Sequence, residues 1–154
     1  MALTIVLPTD DLSFITGLMA ANTDALGFIP APTVEARYLA KGRYVIQRDQ
    51  RGRKTGYVLH GAPTPVGLLT IAQAVIDYDF RESGHGRAAV EEVIARAVAT
   101  NCRAIKLRCA EDLEANHFWA AMGFKRVNTL HPNNTRQRAI HVYIMDLWPT
   151  LFDS

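Results

Sequence analysis

The residues best suited to chemistry lie between positions 74 and 89, which read Ala74-Val75-Ile76-Asp77-Tyr78-Asp79-Phe80-Arg81-Glu82-Ser83-Gly84-His85-Gly86-Arg87-Ala88-Ala89. An apolar stretch ends at Ile76, a polar turn carrying two glycines follows, and a helical pattern begins. Gly84 and Gly86 permit φ > 0 and a close approach of a ligand to the backbone. A helix start there presents unpaired N–H groups and the positive end of the helix dipole, which suits phosphate or pyrophosphate. Arg81 and Arg87 can add charge-assisted hydrogen bonds. The competing reading is an ordinary tight turn, because short glycine patterns recur often.

Residues 84–89 also fit the G-x-G-x-x-A form of a dinucleotide-binding turn, with Glu111 as an acidic residue after the next strand. That reading is set aside. In that pattern the apolar strand runs almost directly into the first glycine. Here Asp77 to Ser83 intervenes, with three acidic residues and an arginine. The segment also lies mid-chain, behind what reads as a hairpin rather than alternating strands and helices.

Candidates for acid–base work are sparser. Asp77, Glu111 and Asp112 fall near the carboxyl ends of apolar strands, where α/β sites form. Gln73 is a polar residue inside an apolar run and needs a buried partner or a substrate. His85 lies in the glycine turn, where its backbone N–H counts for more than its ring. His60 and His117 read as solvated surface residues, with a base role as the alternative. The five histidines contain no H-x-x-x-H or H-E-x-x-H spacing, so no metal site is expected. Cys109 alternates inward with Leu107 and reads as a small core hydrophobe rather than a nucleophile.

The elements that position these residues follow from periodicity. Ala2–Leu7 is expected as a first strand. Thr9 or Asp10 is expected to cap a helix carrying Leu12, Ile15, Leu18 and Met19 on one face. Gly27 to Pro32 breaks it, and Thr33 is expected to cap a second helix ending near Gly42. Tyr44–Gln47 and Thr55–His60 read as a hairpin closed by the charged turn Asp49–Lys54. Val66–Ile76 reads as a central strand buried on both faces. Gly86–Ala99 is the clearest helix, with Val90, Val93, Ile94, Ala97 and Val98 on one stripe. Strand Ala104–Cys109, helix Leu113–Met122, and strands Lys125–Leu130 and Ala139–Leu147 complete the chain, the last two joined by a polar loop, His131–Gln137. The order β-α-α-β-β-β-α-β-α-β-β describes one mixed α/β (α+β) domain over residues 1–154.

Composition bounds the function. The chain has 154 residues, 49% apolar and 21% charged, with a formal charge of +2, which suits one globular domain and points to neither nucleic acid nor membrane. Asp49–Lys54 and Arg136-Gln137-Arg138 are basic but lack interleaved aromatics, so nucleic acid is not expected as a partner. Two cysteines are too few for a disulfide framework and read as reduced thiols of a cytoplasmic protein. No signal peptide or membrane helix is expected.

Two segments then carry a resemblance. Arg81-Glu82-Ser83-Gly84-His85-Gly86, with β-branched Ile76 five positions ahead, resembles the R/Q-x-x-G-x-G/A hallmark of the GNAT superfamily of acyl-coenzyme A-dependent N-acetyltransferases. Ala115-Asn116-His117-Phe118-Trp119-Ala120-Ala121-Met122-Gly123-Phe124 resembles its second hallmark, an aromatic-rich helix ending in Gly-Phe, in the branch with an Ala-Asn-x-Phe-Trp motif. The element order fits the family over nearly the whole chain.

The resemblance implies a GNAT-like fold and transfer of an acetyl group from acetyl-CoA, as cosubstrate, to an amine of a small molecule or peptide by direct attack. Neither a metal nor a covalent enzyme intermediate is implied. Glu82, Ser83, Gly84, His85, Gly86 and Arg87, with Arg81, would hold the pyrophosphate. Ala74, Val75 and Ile76 would pair through their backbones with the pantetheine arm, admitted where their strand splays from Ala104–Cys109. Asn116 would fix the turn before its helix or touch the coenzyme, and Trp119, rather than Phe118, would line the channel. The sequence departs from the family at two places. Asp112 stands where an Asn is usual, and Trp119 stands where a Tyr usually protonates the leaving thiolate. Gln73, Asp77, Asp112 and Trp119 remain the catalytic candidates. A GNAT-fold module that binds a coenzyme or partner without turnover is the alternative, and a homodimer is left open.

Overall fold

The computed structural model describes residues 8–132 and 138–147, with side chains from Asp11 onward. The expected strand Ala2–Leu7 and most of the loop 131–137 lie outside the described residues. The helices are α1 (Pro8–Ala20), α2 (Thr23–Leu26), α3 (Ala31–Thr33, prolonged by a π-helical turn, Val34–Leu39), α4 (His85–Ala99) and α5 (Ala115–Ala121). The strands are β1 (Tyr44–Arg48), β2 (Lys54–His60), β3 (Leu68–Ile76), β4 (Ala104–Ala110), β5 (Lys125–Leu130) and β6 (Ile140–Asp146), in the sheet order β1-β2-β3-β4-β6-β5. The sheet is mixed: β3 and β4 run parallel, and the pairs β1–β2, β4–β6 and β5–β6 are antiparallel.

Several boundaries differ from expectation, each for a local reason. α1 starts at Pro8, so Thr9 and Asp10 lie in its first turn rather than at its cap. Proline suits a first turn because its missing N–H would be unpaired there anyway. The same applies at Pro32: the cap is Pro30, and Thr33 makes no capping hydrogen bond. β3 begins at Leu68, and Val66 is an exposed turn residue. Nor is β3 buried on both faces. Leu69, Ile71, Gln73 and Val75 are buried while Thr70 and Ala72 are exposed. The alternation of large with small side chains is what matters, and counting alanine as apolar hides it.

The chain divides into two compact units, residues 1–59 with 73–89, and residues 60–72 with 90–154. The first is built on Ile15, Leu18 and Met19 of α1, packed with Val34, Tyr44, Tyr57, Leu59 and Val75. Tyr44 and Tyr57 meet edge to face, with centroids 5.5 Å apart. Burial lifts the Tyr44 phenol to about 12 and raises that of Tyr57 as well, so neither ionises near neutrality.

In the second unit β3 pairs with β4 only from Leu68↔Ala104 to Ile71↔Leu107. β4 pairs with β6 along its whole length, and β5 follows β6 with an irregular register between Arg126 and Asn128. Ile105, Leu107, Val90, Val93, Ala97 and Cys102 are buried. His60, expected at the surface, is also buried. Its Nδ1 lies 2.9 Å from the Gly61 carbonyl oxygen and its Nε2 lies 3.2 Å from Arg96 Nη1. A neutral ring that donates from Nδ1 accepts the guanidinium N–H at Nε2, which makes this histidine a structural tie.

Gly56 on β2 is the tightest point of the first unit. A Cβ there would overlap the Val75 carbonyl oxygen and come within 2.9 Å of Ile76 Cα. Both are backbone atoms and cannot swing aside. Gly56→Ala should therefore cost about 1–3 kcal/mol. Urea unfolding checks this, and a variant as stable as the parent would mean that β3 yields at no cost.

Candidate active site

The connection from β3 to α4 is shaped by its own side chains. Asp77 accepts from the Asp79 N–H at 3.2 Å, which starts a short 3₁₀ turn over Tyr78–Phe80, and the Asp77 N–H donates to the Thr55 carbonyl at 2.8 Å. Arg81 folds back: Nε donates to the Ile76 carbonyl at 2.9 Å and Nη2 donates to Asn22 Oδ1 at 3.2 Å. Its guanidinium carbon sits 5.5 Å from the Tyr78 ring centre. The guanidinium therefore holds the turn together and still has N–H donors to spare. The Ser83 hydroxyl lies 3.4 Å from the Arg81 carbonyl oxygen.

Two residues of the turn have left-handed backbone, Glu82 (φ 64°) and Gly84 (φ 83°). For glycine this is free; for glutamate it costs roughly 1–2 kcal/mol. α4 then begins at His85, whose ring meets Phe80 edge-on at 5.9 Å. The first bond into the helix runs from the Ala88 N–H to the Gly84 carbonyl, at 3.1 Å. Among the described residues nothing accepts from the backbone N–H groups of residues 82–87. Glu82, Ser83, Gly84 and Arg87 are exposed, and His85 and Gly86 are half-buried. A row of outward N–H groups at the positive end of a fifteen-residue helix can hold an anion of phosphate type. Beside it, Phe14, Gly17 and Leu18 of α1, with Asn22 at the cap of α2, face Asp77, Tyr78 and Arg81 across a cavity of about 540 Å³.

Upstream, β3 runs on past its last β4 partner, Ile71, to Ile76. Val75 is packed in the first core, and the Ile76 carbonyl is taken by Arg81. Gln73 is 4% exposed and uses both ends of its amide: Oε1 accepts from the Tyr57 hydroxyl at 3.0 Å and Nε2 donates to the Leu26 carbonyl at 3.0 Å. The buried partner that its position demands is therefore the protein itself. Gln73 to Arg87 all belong to the first unit.

Asp112, Asn116 and Trp119 belong to the second unit. Asn116 Nδ2 donates to the carbonyls of Ala110 at 2.9 Å and Leu113 at 2.7 Å, and its Oδ1 accepts from the Tyr143 hydroxyl at 2.7 Å. It ties the end of β4 to the start of α5 and to β6. Burial raises the Tyr143 phenol above its ordinary value, with the nearby Cys109 adding to the effect. Burial likewise pushes the Cys109 thiol up, which suits its reading as a core residue.

Arg138 donates to Asp112 Oδ1 from Nε at 3.0 Å and from Nη2 at 2.8 Å, and these bonds hold the carboxyl below its usual range. Of the adjacent ring pair, Trp119 is the buried one, 5% exposed between Phe118 at 4.9 Å and Phe124 at 5.3 Å, while Phe118 is half-buried. The ring expected to line the coenzyme channel is thus the more buried of the two, packed between phenylalanines. Phe124, after the Gly123 turn, gives the indole a second aromatic neighbour that Phe118 alone could not supply. Tyr143 and Arg138 were not among the sequence candidates. Only the β4–β6 register, in which Leu107 faces Tyr143, brings that strand under α5.

The fold has counterparts among solved structures. No curated protein matches the chain. Ard1 from Thermoplasma volcanium is similar to it with a TM-score of 0.77 at 15% identity, over 92% of this chain and 94% of the other. The ribosomal-protein-S18-alanine N-acetyltransferase from Escherichia coli is similar with a TM-score of 0.72 at 17% identity, over 96% and 95%. An aminoglycoside 6'-N-acetyltransferase complexed with coenzyme A is similar with a TM-score of 0.73 at 10% identity, over 97% of both chains. At such identities these likenesses establish the fold. A model of the acetyltransferase (GNAT) family matches residues 18–124, which run from α1 through the unpaired N–H groups to Phe124, and the chain belongs to that family.

Proposed function

We propose that this protein transfers an acetyl group from acetyl-CoA to the amine of a small molecule or peptide. The observation that carries the reading is the row of unpaired backbone N–H groups from Glu82 to Arg87 at the start of α4. A pyrophosphate placed there receives N–H donors and the helix dipole, with Arg81 and Arg87 adding charge. The polar turn 77–83 separates it from β3. The backbone of Ala74, Val75 and Ile76 then lies upstream for the pantetheine arm, on a strand that has already left its β4 partner. The similar aminoglycoside enzyme, described as complexed with coenzyme A, supports the same ligand class.

The thioester brings an acyl carbon already activated for attack by an amine. The chain's own part is to bind, orient and polarise through backbone groups, which needs no metal. Among the described residues no cluster of His, Cys, Asp or Glu is arranged to hold one. Proton traffic falls on weak carriers. Trp119 has an indole N–H that does not ionise near neutrality, and Asp112 is kept as a carboxylate by Arg138. The proton for the departing thiolate comes from water in this reading, a modest demand because a thiolate leaves readily.

Three outcomes are expected. Coenzyme A at 100 times its dissociation constant should add about 2.7 kcal/mol of stability in a thermal-shift assay, and NAD should add none; the reverse would overturn the coenzyme reading. Gly86→Val, in the first turn of α4, should remain folded yet lose about tenfold or more in coenzyme affinity by calorimetry, equal to ~1.4 kcal/mol. Unchanged affinity would remove this glycine from the site.

Trp119→Phe should cost roughly 1–2 kcal/mol of stability through lost ring contact and keep most of the turnover measured against a panel of amines and peptides. Loss of turnover with coenzyme affinity intact would give the indole a direct catalytic part. Tight coenzyme binding with no acceptor acetylated anywhere in the panel would favour a binding module instead.

A further inference from the structure

Gln73 does more than fill the first core. Its amide bridges two parts of the chain far apart in sequence: the Tyr57 hydroxyl of β2 donates to it at 3.0 Å, and it donates to the carbonyl of Leu26 at 3.0 Å. Leu26 is the last residue of α2, where a helix carbonyl has no partner of its own. The chain then turns at Gly27 (φ 73°) and presents Phe28, which is 74% exposed. Immediately afterwards Ile29 packs back against the core, with its N–H 3.2 Å from Met19 Sδ. The turn bearing Phe28 is thus pinned on both sides. One pin is a side chain of β3, next in sequence to Ala74, Val75 and Ile76. Tyr57 is fully buried and fixes the orientation of that amide.

We propose that Gln73 is a positioning residue that couples β3 to the Leu26–Ile29 turn, so that a ligand held along Ala74–Ile76 also orders the turn carrying Phe28. The inference rests on the acetyl-CoA reading. A ligand that pairs with the β3 backbone restrains the strand, and the Gln73 amide transmits that restraint to the Leu26 carbonyl through one short bond. The Tyr57 bond keeps the amide from rotating out of line. Coupling of this kind appears as a change in local opening rather than in global fold.

Hydrogen exchange with mass-spectrometric detection tests it, on the full chain with and without acetyl-CoA. In the parent protein acetyl-CoA should slow exchange at residues 82–88 and also at Gly27, Phe28 and Ile29. The variant to compare is Tyr57→Phe with Gln73→Met. It removes both buried polar partners together, keeps the volume, and leaves only the half-buried Leu26 carbonyl to be met by water. Its slowing at 82–88 should persist and its slowing at 27–29 should be lost. Gln73→Met alone should give the same loss. A merely structural role would raise basal exchange without removing the ligand-dependent difference.

Slowing at 27–29 that survives in the variants overturns the proposal. So does a parent protein in which acetyl-CoA slows 82–88 alone. A parent in which acetyl-CoA slows neither segment overturns the coenzyme reading itself, and this proposal falls with it.

Discussion

A helix cannot satisfy its own first N–H groups, and everything distinctive about this chain is arranged around where α4 leaves them. The polar turn Asp77–Gly84 uses its side chains on itself: Asp77 on Asp79, Arg81 on Ile76 and Asn22. None is spent on the N–H groups of residues 82–87. A Ser or Asp placed to cap α4 would stabilise the helix and close the site. The positive φ of Glu82 adds a small local strain beside these unpaired N–H groups.

In both units the polar side chains singled out in the sequence are largely engaged within the protein. Gln73 and Asn116 each engage both ends of an amide within the protein, and so act as joints rather than reagents. Asp112 is paired with Arg138, and Trp119 is walled in by two phenylalanine rings. Among the described residues of the first unit, the N–H groups of residues 82–87, the exposed Arg87 and the spare N–H groups of Arg81 remain open. Transfer from an activated thioester, as proposed above, asks more for positioning and backbone polarisation than for a strong acid or base.

Much of this was legible in the sequence wherever one local rule acted alone. The stripe Val90, Val93, Ile94, Ala97 and Val98 located α4, although Val98 at its edge is exposed, and the glycines at 84 and 86 located its start. The alternation of Ile105, Leu107 and Cys109 with Lys106 and Arg108 located β4. The reading failed where two rules competed. Prolines 8 and 32 lie in first helical turns where Thr9, Asp10 and Thr33 looked like caps, and alanines concealed the one-sided burial of β3. Pairings between distant segments were beyond reach. That His60 meets Arg96, that Gln73 reaches Leu26, and that Trp119 lies inward of Phe118 are settled by register and helix rotation, which leave no mark on composition.

The irregular register of β5 against β6 bears on a different matter, the company this chain keeps in a crowded solution. β5 is the end strand of the sheet order and is exposed along nearly its whole length, with Val127 more than half accessible. A straight apolar border of that kind invites another chain to add a strand and propagate. Here Lys125 and Arg126 place two positive charges on the border, and the irregularity at Val127 bends the ladder beside them. A charged, irregular border of this kind is a poorer template for strand addition than a straight apolar one.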